Sequence, residues 1–161
     1  MKGLFKKGFT LIELLVVIAI VIALGVAVFA ALNPQQRLKD ARDSRRTSDV
    51  DSILTALHEY IIDNKGVATA LNLTTTEEQL GTGASGCAIA TPGCNVTTTA
   101  CLDLSSTTLL GKYLKSMPID PSAGATYTSA KTGYSVAQDA NGLITVKACG
   151  TEGANNISAS R

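Results

Sequence analysis

Lys6-Lys7-Gly8-Phe9-Thr10-Leu11-Ile12-Glu13 runs into a block from Leu14 to Leu32 in which no side chain is polar. This stretch decides the fold. As a helix, Phe9–Leu32 measures about 36 Å, enough to cross about 30 Å of hydrocarbon. Lys2, Lys6 and Lys7 precede the span and no Lys or Arg interrupts it. That bias sets the N-terminus in the cytoplasm and the rest of the chain outside. Residues 1–8 are short and basic, with no apolar core of their own. A secretory signal places its apolar region before the cut; here that region follows Gly8, so a cut there leaves the anchor on the chain. Glu13 is the anomaly. An acid at the centre of a membrane helix costs about 2.5–3.5 kcal/mol, less near the interface. So near the front of the span, Glu13 can stay by the headgroups, and in a first helical turn it also complements the helix dipole.

The chain has 161 residues, one domain of ordinary size, with no Trp and few aromatics. Roughly 95 residues remain beyond the helix, enough for a modest core. The formal net charge of +1 hides an asymmetry: without residues 1–8, 11 Lys and Arg face 13 Asp and Glu, a net of −2. Bulk charge therefore gives no case for nucleic-acid binding. Cys87, Cys94, Cys101 and Cys149 all follow the membrane segment, which reads as two disulfides in an exported domain. Three connectivities are open. The favoured one is Cys87–Cys94, closing a Gly- and Pro-containing loop, with Cys101–Cys149 tying the middle to the last strand. Free thiols are the bland alternative, and the spacing does not fit a zinc knuckle.

The residues Lys7-Gly8-Phe9-Thr10-Leu11-Ile12-Glu13-Leu14, followed by an unbroken apolar run, resemble the prepilin N-terminal signature of type IV pilins and of the pseudopilins of type II secretion systems. The resemblance covers residues 1 to about 32. It implies cleavage between Gly8 and Phe9 by a membrane prepilin peptidase, which also N-methylates Phe9. It implies assembly of the apolar helices into a filament, in which Glu13 neutralises the Phe9 ammonium of an adjacent subunit. A charge buried in a helix bundle is costly alone and much less so when paired, so Glu13 would also set register. Pairing of Glu13 with its own Phe9 amine is a competing geometry. Gly25 inside the span and Pro34 after it predict a bend or loosening there.

From Gln35 the composition changes. Arg37, Lys39, Arg42, Arg45 and Arg46 alternate with Asp40, Asp43, Asp49 and Asp51, and Val50, Ile53, Leu54, Leu57, Tyr60 and Ile61 share one helical stripe. Gln35 to Asp63 thus reads as a helix with a solvated, mixed-charge first part and an amphipathic second part, stopped by Asn64-Lys65-Gly66. Joined to the membrane segment it makes roughly 55 residues of helix, or about 80 Å. The interleaved acids argue for intrahelical pairs rather than a DNA contact. His58 is the only histidine and reads as a boundary residue, without a partner set for catalysis.

Residues 67–108 are rich in Thr, Ala, Gly and Ser and read as a disulfide-clipped loop, with a capping box at Thr75–Glu78 for a single turn. Asn72-Leu73-Thr74, Asn95-Val96-Thr97 and Asn156-Ile157-Ser158 match the N-glycosylation pattern and read as chance matches in a Thr-rich chain with a bacterial-type leader. Ser106–Lys115 reads as a short helix with Leu109, Leu110, Tyr113 and Leu114 on its apolar face. Strands are expected at 125–129, 133–137 and 143–148, the last two joined by an Asn141-Gly142 hairpin turn. Their apolar face should pack on the Ile53–Ile61 stripe. Tyr113 to Pro121, followed by Gly124, Tyr127 and Tyr134-Ser135-Val136, is similar to the segment before the final hairpin of major pseudopilins and related short pilins. Many of those hold calcium in an acid-rich loop; the loop 138–142 here has one acid and departs from that pattern.

The expected fold is α+β and pilin-like, a long N-terminal helix, membrane-spanning in its first half, packed on a small C-terminal antiparallel sheet. Its parts are a leader (1–8), a transmembrane and assembly helix (9–33), an amphipathic continuation (34–65) and a globular head (66–161). The expected function is structural: a subunit of a type IV pilus. Its partners would be copies of itself, the prepilin peptidase and the assembly machinery of the membrane. Cofactor, metal and nucleic acid are not expected, nor is catalysis. The cysteines and the Thr-rich excursion favour the surface pilus; the Pro118–Pro121 segment and modest length favour a periplasmic or cell-wall pseudopilus. Two other classes compete: a membrane-anchored binding module that never polymerises, and a small exported enzyme.

Overall fold

A computed structural model describes residues 8–122, 126–153 and 156–161. The lysines of the leader, Gly124 of the pseudopilin-like segment and the first residue of the expected 125–129 strand lie outside the described residues. The chain divides into two units, one ending at Leu38 and one spanning Lys39–Arg161.

In the first unit, α1 (Leu11–Leu32) is continuous through Gly25 and buries none of its residues. It ends at Asn33, which turns left-handed (φ 41°, ψ 71°). Asn tolerates that region better than other non-glycine residues. Pro34 then opens α2 (Pro34–Asp63), a position where its missing N–H costs nothing. The carbonyl of Asn33 accepts from Gln36 N (3.1 Å) and Arg37 N (3.3 Å), so the new helix starts at once. The expected long helix is present and is interrupted at Asn33, into stretches of 22 and 30 residues, so the expected loosening falls beside Pro34 while Gly25 leaves the helix intact.

The second unit is built on α2 from Lys39 onward. Val50, Ile53, Leu54, Ala56, Leu57 and Tyr60 are buried along it. The helix stops as its sequence predicts. Lys65 (φ 56°) sits left-handed, Gly66 N reaches Ile61 O (2.8 Å) and Lys65 N reaches Ile62 O (3.1 Å), the paired bonds of a Schellman ending. The sheet has four antiparallel strands in the order β1-β4-β5-β6: β1 (Glu78–Gln79), β4 (Tyr134–Gln138), β5 (Ile144–Ala148) and β6 (Ser158–Ser160). Tyr134 faces Ala148 and Val136 faces Val146 in the β4–β5 register. Those side chains and Ile144 join the helix stripe in one core, completed by Leu71, Leu80, Leu104 and Leu110. The helix-on-sheet packing is thus as expected. In the hairpin turn, Asp139 Oδ1 accepts from the amides of Asn141 and Leu143, both at 2.8 Å.

Other expectations need correction. Residues 106–115 hold only a 3₁₀ turn, Leu110–Lys112. Gly111 N bonds Ser106 O (2.9 Å) and Leu110 N bonds Leu104 O (3.1 Å), so the chain doubles back rather than winding on. Around 125–129 there is no strand among the described residues, only an isolated bridge from Thr128 to Lys131. The Thr75–Glu78 capping box is absent: Glu78 belongs to β1, opposite Val136. The sheet edge outcompetes a solitary helical turn, which is costly to nucleate.

The disulfides are Cys87–Cys101 and Cys94–Cys149, not Cys87–Cys94 and Cys101–Cys149. Backbone pairing explains this. Leu102 N bonds Gln79 O (2.8 Å), Cys101 N bonds Gly83 O (2.9 Å) and Cys87 N bonds Thr99 O (3.0 Å), which brings residue 101 to residue 87. Between them a small hairpin forms from β2 (Ile89–Ala90) and β3 (Asn95–Val96). Its Thr91 hydroxyl donates to Cys149 O (2.8 Å), which carries Cys94 to the end of β5. Non-reducing peptide mapping is expected to recover the 87–101 and 94–149 pairs. Replacing Cys94 and Cys149 by Ser should cost about 4 kcal/mol in denaturant unfolding, as the bridge closes a long loop.

Candidate processing and assembly site

Two groups of residues stand out: the start of α1 and a charged cluster in the head. At the start of α1, Gly8 and Phe9 are exposed, Phe9 at 86%. Thr10 is the N-cap in extended conformation, and Glu13 is the third helical residue. The Glu13 amide donates to Thr10 Oγ1 (3.3 Å), while Thr10 N (2.8 Å) and Thr10 Oγ1 (2.7 Å) both donate to Glu13 Oε2. This is a capping box. It gives Glu13 a local role that sequence reading reduced to dipole complementarity. Both donors fall on Oε2; among the described residues Oε1 accepts no hydrogen bond. Gly8 precedes Phe9, so the Phe9 nitrogen is here an amide.

The head contains a cluster that the sequence reading missed. Arg46 lies in the stretch that its sequence marks as solvated, yet its side chain is fully buried. Its guanidinium makes a two-pronged contact with Asp120, Nε to Oδ2 and Nη2 to Oδ1, both at 2.8 Å. It also donates to Asp43 Oδ1 (2.7 Å), Glu152 Oε2 (3.2 Å) and Ser122 Oγ (2.9 Å). Arg42 donates to both oxygens of Glu152, through Nη2 to Oε1 at 2.7 Å and through Nε to Oε2. Asp43 accepts from the amide of Gly153 (2.8 Å). Three residues of one α2 turn thus hold two loops, 120–122 and 152–153. Small residues make the fit possible. A Cβ on Gly150 would lie 2.6 Å from Asp120 Oδ2, and one on Gly133 (φ +82°) 2.7 Å from Asp120 Cβ. Farther along α2, Asp49 accepts from the buried Tyr134 hydroxyl (2.7 Å).

The electrostatics follow from these partners. Burial acts to lower the Arg46 pKa, but the hydrogen bonds it donates to Asp120, Asp43 and Glu152 outweigh it and raise the pKa, so the charge is locked in. Arg42 and then Arg46 hold the Glu152 carboxyl at about 2, against the opposing effect of burial. Burial first, then the bond to Asp49, raises the Tyr134 hydroxyl. A signal for Arg46 existed in the sequence: residues 46, 50, 53, 57 and 60 continue one helical stripe. Its partners at 120 and 152 carried no such periodic mark. Among the described residues, the hydrogen bond of His58 is between Nδ1 and the Leu54 carbonyl (2.9 Å), an ordinary bond within the helix.

Residues 5–29 match the model of the prokaryotic N-terminal methylation motif, the prepilin motif of type IV pilins and pseudopilins. No curated protein and no solved structure matches the chain. The chain therefore carries a prepilin-type start on an α+β body. The motif covers Gly8, Phe9 and Glu13 and stops within α1.

Arg46→Ala should destabilise the head by about 3–5 kcal/mol, because it leaves Asp120 buried without its cation. Equilibrium unfolding of the detergent-solubilised chain measures this. Glu152 has a folded pKa below its ordinary value of 4.5, so its contribution is full above that value and lost as pH falls toward about 2. Thermal melts between pH 5 and pH 2 should accordingly fall less steeply in Glu152→Gln than in the parent.

Proposed function

We propose that this chain is a structural subunit that is cut between Gly8 and Phe9, N-methylated on Phe9, and polymerised into a type IV pilus. The observation that carries the reading is the prepilin motif at residues 5–29, continuous with a helix that buries none of its apolar residues. Before assembly α1 is long and apolar enough to lie across a bilayer. The cytoplasmic leader and external head follow from the lysine bias. After assembly the same residues would be covered by neighbouring copies.

Glu13 fits both states. In lipid, its carboxylate is partly satisfied by Thr10. In a filament, Oε1 would take the Phe9 ammonium of an adjacent subunit, at far lower cost than a lone buried charge. The partners are thus copies of the chain, the prepilin peptidase and the assembly machinery. The two disulfides support residence of the head in an oxidising compartment. The parts assigned above, leader 1–8, helix 9–33, continuation 34–65 and head 66–161, describe this life cycle. The head's role is structural rather than catalytic. The Pro118–Pro121 segment, read as pseudopilin-like, serves here to hold Asp120 against Arg46, a task that suits either filament.

Glu13→Gln separates charge pairing from capping. Gln at this position keeps a capping box but carries no charge. The pairing role predicts normal membrane insertion and a sheared-filament yield reduced about ten-fold or more, as expected for an unpaired buried ammonium. Parental filament yield from Glu13→Gln would leave capping as the residue's whole role.

A further inference from the structure

Two residues compete to start α1. Thr10 caps the helix at Leu11 in extended conformation (φ −84°, ψ 150°), and Gly8 and Phe9 lie before it, outside the helix and exposed. A Cβ on Gly8 would meet no atom within 4 Å, so the Gly8–Phe9 bond stands clear of the described chain. Glycine caps a helix about as well as threonine, so Gly8 is a second possible N-cap, with Phe9 then the first helical residue. Apolar surroundings favour that longer helix, because each amide drawn into it is satisfied internally. The capping box opposes it. Thr10 Oγ1 accepts from the Glu13 amide (3.3 Å), and Glu13 Oε2 accepts from the Thr10 amide (2.8 Å) and hydroxyl (2.7 Å). Drawn into the longer helix, Thr10 would lose the extended geometry that a cap needs.

We propose that Thr10 is a positioning residue for removal of the leader: by capping α1 it keeps the Gly8–Phe9 bond out of the helix, extended and open to the peptidase. The inference rests on the processing reading and names the side chain that presents its bond. Hydrolysis breaks the bond between the Gly8 carbonyl carbon and the Phe9 nitrogen. Water gives its hydroxyl to the carbon and a proton to the nitrogen. The peptidase must therefore reach the Gly8 carbonyl and hold the chain on either side of it. With Gly8 as N-cap, that carbonyl would accept the first bond of the helix and sit against its first turn. Held extended, the carbonyl and the Phe9 amide are both free for the enzyme, and less ordering is left for it to impose.

The test is the rate of leader removal from the full precursor in vesicles, with prepilin-peptidase membranes as the enzyme, for the parent, Thr10→Ala and Thr10→Ser. Loss of a Thr cap shifts a helix-end equilibrium about five-fold. Apparent affinity falls with the fraction of chains still extended, so Thr10→Ala should raise KM about three-fold and leave kcat alone. Thr10→Ser rebuilds the cap and should restore the parental KM. Carbon-13 shifts of Gly8 and Phe9 in the labelled precursor give a second readout. They should move toward helical values in Thr10→Ala and stay extended in the parent and in Thr10→Ser. A parental KM in Thr10→Ala, a loss confined to kcat, or Phe9 shifts that Thr10→Ala does not move would each overturn the inference and leave the processing reading in place. So would a KM as high in Thr10→Ser as in Thr10→Ala. A parental chain that is not cut between Gly8 and Phe9 would overturn both.

Discussion

A helix of 22 residues that buries none of them must be covered from outside its own chain. Each large aliphatic side chain gains about 1.5–3 kcal/mol on full burial, so α1 stands to gain some tens of kcal/mol by leaving water. Lipid can supply that cover, and so can other copies of the helix. This constraint sorts the rest of the molecule. The core of the head is assembled from Val50 onward and uses no residue of α1. The uncovered apolar surface and the core of the head thus lie on different stretches of one chain, with Asn33 marking the end of the first.

Within the head, the corresponding constraint is the buried charge of Arg46. A guanidinium with no exposed surface is tolerable only when its donors are met, and here Asp120, Asp43, Glu152 and Ser122 meet them. The cluster does what apolar packing does poorly in a chain short of large side chains. It fixes irregular loops against a helix by direction as well as by proximity. The disulfides act similarly on the Thr-rich excursion, one joining the segments 83–87 and 99–101 and the other fastening a two-residue-strand hairpin to β5.

How much of this was legible in the sequence depends on whether the relevant contacts repeat along the chain. The apolar span, the Val50–Ile61 stripe, the Asn64-Lys65-Gly66 stop and the Asn141-Gly142 hairpin are local patterns, and each appears where its pattern placed it. Arg46 was half legible, since it shares the stripe but a basic residue amid acids reads as solvated. Asp120 and Glu152 were not legible, because their pairing depends on loops meeting across more than a hundred residues of chain in the case of Arg42 and Glu152. Disulfide connectivity failed for the same reason: proximity in sequence favoured 87–94, whereas backbone pairing of 79–83 with 101–102 governs the outcome. Strand β6 was missed because Ser158-Ala159-Ser160 has little β propensity, and it forms against the ready edge of β5. At the start of α1, the motif was plain, but the Thr10–Glu13 box was visible only once Thr10 took the N-cap.

The central claim is that α1 is released from its leader and then buried by its own kind. The mass of the N-terminal peptide from sheared surface filaments tests it most directly. The account predicts a peptide beginning at Phe9 and carrying one extra methyl group on its amine. A filament fraction whose chain begins at Met1, or one cut beyond Leu32 so that α1 is gone, would contradict it.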